Sequence, residues 1–154
     1  MKSLRLLIAA ALVIYAVMGS VPGPTMSIRE PSPQMKTEVS PVTKVVAGMS
    51  SIDRLWLQYI YQQASRVVQS DGDSKSPAIM TTDGLRAVHV SILSFIWKGL
   101  ADNSPGKYPA LKDAIESVFT NTLGDARRPM TPELRAKAAE LFDAIAWAGL
   151  GKDG

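Results

Sequence analysis

The chain has no cysteine and one histidine among its 154 residues. The first absence excludes disulfides, thiolate nucleophiles and cysteine-based metal sites. It also excludes a lipid-modified signal, which needs a cysteine at the cut. The second excludes a histidine-rich metal site. Neither argues against export, because a domain of this size can fold without disulfides when its core is large enough.

Charge of one sign is also missing where it would count. The formal charge is +3, but residues 1–50 hold five basic and two acidic residues and therefore carry all of it. Residues 51–154 hold 12 basic and 12 acidic residues. The folded part has no net field to attract phosphate backbones, so nucleic-acid binding is not expected.

What is present begins at the amino terminus. Lys2 and Arg5 precede an uncharged run from Leu6 to Val21, of which Leu6–Met18 is unbroken apolar sequence. A signal peptide has a basic start, an apolar stretch of about 7–15 residues and small residues at the cut. A spanning helix needs about 17–25. The segment falls between the two, so residues 1–21 read as a retained signal-anchor or a cleaved signal peptide. Both readings leave the basic residues in the cytoplasm and export everything after Val21. Uncleaved, residues 4–21 would make the membrane contact.

Residues 22–50 read as a Pro/Ser/Thr-rich linker. Pro22, Pro24, Pro31, Pro33 and Pro41 interrupt it, and proline removes a backbone donor and holds its predecessor extended. The expected role is a standoff tether.

From Ser51 the spacing turns helical. Helices are predicted over about 51–69, 82–102, 109–123 and 132–148. Thr131 suits a cap, Pro109 and Pro132 suit first helical positions, and Gly124 suits a left-handed close. With no competing strand pattern, the fold class is all-α. The expected architecture is an antiparallel bundle of about four helices over 51–154, preceded by the hydrophobic helix and the linker.

Candidate sites are few. His89 has the residue type for acid–base work, but it sits mid-helix between Val88 and Val90 with no assignable serine or carboxylate; a structural role is expected. Asp71-Gly72-Asp73-Ser74-Lys75 resembles the start of a calcium loop. It fails at the fifth and sixth positions, Lys75 and Ser76, and holds only Thr82 at the twelfth. Asp113, Glu116, Glu140 and Asp143 are the carboxylates available to a hydrolase, and each is expected on a solvated helix face. Trp56, Trp97 and Trp147 are expected to share core packing. In the first helix, Ile52, Leu55, Trp56, Tyr59, Ile60, Val67 and Val68 read as the inward stripe. Leu57 and Tyr61 fall off it and stand as the candidate partner-binding residues.

The expected function is non-catalytic: an exported, membrane-tethered helical protein that binds or scaffolds a protein or envelope partner, without cofactor or metal. A phage-type lysis or envelope-disrupting accessory is one alternative. A carboxylate-based envelope hydrolase is another.

Overall fold

The computed structural model describes residues 30–70, 81–100 and 108–150. The apolar run Leu6–Val21 and the turn Asp71–Lys75 lie outside the described residues. Within them the protein is all-α, a helical bundle with no named strand. The helices are α1 (Pro33–Glu38), α2 (Ser40–Val46), α3 (Ser51–Ser70), α4 (Thr82–Gly99), α5 (Pro109–Leu123) and α6 (Pro132–Leu150). Among the described residues no helix is long and apolar enough to cross a membrane.

α1 and α2 correct the linker. Residues 33–46, expected as extended tether, form two short helices whose apolar side chains enter the core. The prolines initiate the helices: Pro33 and Pro41 each fall in a first turn, where the missing N–H breaks no bond. Ser32 caps α1 by accepting the Met35 N–H. Met35, Val39, Val42, Val46 and Met49 are all buried in the common core. Their spacing of four, three, four and three residues is helical spacing carried through the junction between the two helices.

α3 and α6 form the most extensive pairing in the bundle. They run antiparallel: Gly149 near the end of α6 lies against Arg54 and Gln58 near the start of α3. Ser65, toward the end of α3, donates to the Ala139 carbonyl at 3.1 Å. The small residues Ala138, Ala139, Ala144, Ala146, Ala148 and Gly149 are buried along α6, which lets the two backbones approach closely. A Cβ at Gly149 would sit 3.1 Å from the Arg54 carbonyl oxygen, a tight contact that a shift of a few tenths of an ångström would have to relieve.

α4 is fixed at its first turn. Thr81 caps it by accepting the Gly84 N–H. Thr82, nearly fully buried, is clasped by the segment after α5: its N–H donates to the Arg128 carbonyl at 2.9 Å, its hydroxyl donates to the Ala126 carbonyl at 3.0 Å, and that hydroxyl accepts the Arg128 N–H at 2.9 Å. Gly124 closes α5 with φ +76° and ψ 173°. This is a positive-φ position as the sequence suggests, but extended in ψ instead of left-handed helical, a region open essentially to glycine alone. The bend brings the Gly124 carbonyl to the Arg86 guanidinium, which also holds Asp125 at 2.8 Å.

Candidate functional site

Side chains with chemical potential gather in three places. The first is an aromatic knot in the core. Tyr61 from α3, His89 from α4, Phe119 from α5 and Phe142 from α6 meet there, so each of the longer helices contributes one ring. The His89 imidazole stacks on Phe119 with centroids 4.4 Å apart and planes within 3°. Its Nε2 shares a hydrogen bond with the Tyr61 hydroxyl at 3.2 Å. Burial, with a smaller push from Arg86, lowers the His89 pKa to about 4. Burial, with a smaller contribution from Glu116, raises that of Tyr61 well above its ordinary value. Both groups are therefore held neutral. The pair is buried, uncharged and hydrogen-bonded to itself, and its rings pack against those of Phe119 and Phe142.

The second place is a groove of about 700 Å³ between the start of the described chain and α6, lined by Glu30, Ser32, Glu133, Lys137, Glu140 and Asp143. Two of the expected carboxylates come together here. Asp143 departs from expectation: it is buried, not solvated. Burial raises its pKa, opposed by Ser65, Gln69 and Arg66. Its carboxylate accepts from Gln69 Nε2 at 3.3 Å. Glu140 accepts the Ser32 N–H at 3.0 Å. The two acids thus serve as anchors for the polypeptide itself. Asp113 is exposed and Glu116 pairs with Lys112 on the α5 surface at 3.8 Å, so neither adds to the groove. Among the described residues no group of three or more His, Asp or Glu side chains is placed to hold a metal ion.

The third place is the outer face of α3, where the expectation is inverted. Leu57 and Tyr61 are 0% exposed and are among the largest fully buried side chains. They cannot form a partner surface. The physical reason lies in which residues share their side of the helix. Asp53, Leu57, Ile60, Tyr61, Ala64, Ser65 and Val68 all face the core, a stripe that includes a carboxylate, an alanine and a serine and so reads weakly as apolar. Of the seven residues read as inward, Ile60 and Val68 are buried and Trp56 and Val67 are half-buried against the core, but Ile52 is 70% exposed, Leu55 62% and Tyr59 42%. Their spacing of three and four residues places them on one line.

That line is held in place by Trp56. Its indole N–H donates to the Phe95 carbonyl on α4 at 3.2 Å, and its ring stacks near Tyr59, centroids 6.3 Å apart. The indole occupies the space beside Gly99, where an added Cβ would lie 1.7 Å from Trp56 Nε1. Trp56, Trp97 and Trp147 are each half-buried; Trp56 and Trp97 pack on the core margin and do not form a shared platform. Val90 is also exposed, singly, as surface apolar residues often are.

The fold and this surface define an all-α helical bundle with an apolar line on one outer helix face. Compared with protein-family models, curated proteins and solved structures, the chain matches none.

Proposed function

We propose that the chain is a non-catalytic, exported and membrane-tethered helical protein, and that its bundle docks a protein partner through Ile52, Leu55 and Tyr59. One observation carries the reading: a line of large apolar side chains, 42–70% exposed, on a helix whose opposite face is fully packed. Water is excluded from such a surface at a gain of about 25 cal/mol per Å² buried. Gln62 and Gln63, one turn beyond Tyr59, are uncharged, while Arg54 beside Leu55 is turned to the Ser51 hydroxyl at 3.4 Å.

Three exposed side chains make a modest interface, well short of the roughly 800 Å² per partner of a stable free complex. Tethering supplies the remainder by raising effective concentration. The packing of α1 and α2 shortens the tether. Only residues 22–30 separate the apolar segment from the packed chain, a span of roughly 30 Å if extended. Ser32 meets Glu140 near the α3 end that holds Ser65 and Gln69. Leu55 is therefore roughly 20 Å further along α3, so the apolar line lies toward the end of α3 remote from the point where the described chain begins.

The test is fractionation of the full-length protein with its mature amino terminus read in the same preparation. Recovery from Met1 in the membrane fraction supports tethering. A soluble product beginning near Ser20 contradicts it.

The buried Asp143 beside Glu140 favours a second reading, a carboxylate-based envelope hydrolase, since a raised pKa suits a general acid. The hydrogen bonds of both groups to the protein's own Gln69 and Ser32 weigh against it. Turnover of a cell-wall glycan that disappears in Asp143→Asn would establish it.

A further inference from the structure

The aromatic knot contains the chain's only histidine, and packing neutral rings does not require a histidine. A phenylalanine would stack on Phe119 equally well. What histidine adds is a hydrogen-bond partner for the buried Tyr61 hydroxyl and, on the same ring, a proton site with no provision for a charge. His89 is 3% exposed. On its own helix the nearest charged side chain is Arg86, one turn earlier, which lies 5.9 Å from the centroid of the same Phe119 ring. α3 presents the neutral Tyr61 and α6 presents Phe142. α5 presents Phe119, with Glu116 one turn before it, half-exposed and engaged with Lys112. A proton on His89 would therefore place a second cation near Arg86 and a charged ring among apolar ones.

We propose that His89 is an acid-operated latch: neutral, it joins α4 to α3, α5 and α6, and protonation releases α4 from them. The knot is the point at which one α4 side chain touches rings of all three partners. Releasing it exposes Leu85, Ile92 and Ile96, the apolar residues that flank His89 on the buried face of α4. The inference does not rest on the docking or tethering reading.

Because the chain holds a single histidine, its imidazole proton resonance needs no assignment. The full-length protein in nonionic detergent micelles is titrated from pH 7.5 to 4 by NMR, and urea unfolding is measured at pH 7 and 4.5. The latch predicts an imidazole midpoint well below 6.5, with the Phe119 and Phe142 ring contacts to His89 lost across the same range. It also predicts a rise of about 50-fold in the unfolding constant between pH 7 and 4.5, from the displaced pKa. His89→Phe removes that rise. A midpoint near 6.5 overturns the proposal, as do ring contacts that persist below the midpoint. A His89→Phe protein that keeps the full acid response overturns it too. If His89→Phe does not fold, the wild-type titration alone decides.

Discussion

The Tyr108 hydroxyl lies 2.7 Å from Asp53 Oδ2 and donates to it, although Tyr108 precedes α5 and Asp53 lies in the first turn of α3. The same hydroxyl oxygen accepts the Ser50 N–H at 3.3 Å. One phenol thus joins a fully buried carboxylate to the cap of its own helix. Asp53 also sits where the α3 dipole favours negative charge. Tyr108→Phe removes this donor from a fully buried carboxyl group and is expected to destabilise the fold by about 1–3 kcal/mol. Urea unfolding at pH 7 measures it.

Core and surface assignments on α3 are separated by two substitutions. Leu57→Ala empties a fully buried site and is expected to cost about 2–5 kcal/mol. Leu55→Asp alters an exposed position and is expected to change stability by less than about 0.5 kcal/mol. Denaturation of the two variants side by side checks this. Equal losses would mean that Leu55 is packed.

Gly99 has a specific reason to be glycine. A methyl there overlaps the Trp56 indole, and the indole must leave its bond to the Phe95 carbonyl. Gly99→Ala is expected to destabilise by about 1–3 kcal/mol through overpacking, and to shift tryptophan emission as Trp56 moves into water. Emission spectra before and after the substitution, both in a Trp97→Phe, Trp147→Phe background that leaves Trp56 as the one indole, report the move.

Asp143 and His89 give opposite pH dependences. Burial raises the Asp143 pKa in the folded state, so its stabilising contribution is present in acid and is lost as pH rises through the folded value. The His89 pKa is depressed to about 4. Its contribution, a few kcal/mol at most, is complete above about pH 6.5 and is lost as pH falls toward 4. Asp143→Asn should therefore make the acid loss of stability steeper, because it removes the opposing group. Unfolding midpoints taken from pH 4 to 7 on both proteins measure the difference.

Much of the bundle was legible in the sequence because local signals agreed with tertiary packing. α5 coincides with its predicted range, and α3, α4 and α6 differ from theirs by a residue to three at their carboxyl ends. Thr131 accepts the Leu134 N–H as a cap should. The prolines of residues 31–41 misled the reading, since the same residue breaks a helix inside and starts one at its first turn. Here they start two. The α3 face was misread because both of its sides carry large apolar residues. The choice between them depends on α6, whose small residues meet Ser65 and Gln58, and no local pattern in α3 records that partner. Burial of Asp143 has the same origin: Gln69 and Ser65 stand on another helix.

Truncation tests the revised extent of the folded unit. If residues 31–50 were tether, a chain beginning at Ser51 would fold as well as one beginning at Glu30. Met35, Val39, Val42, Val46 and Met49 belong to the core, so the shorter chain is expected to lose cooperative unfolding or several kcal/mol. Thermal unfolding of the two lengths, followed by circular dichroism, distinguishes these results.

The central claim is that the outer face of α3 is a docking surface. A photo-crosslinking phenylalanine placed at Leu55 in the full-length protein, in native membranes, tests it most directly, with the same group at Lys112 on the α5 surface as control. The account predicts a discrete adduct from position 55, abolished when Tyr59→Asp is added, and none from position 112. No adduct at 55, or the same adducts from both positions, would contradict it.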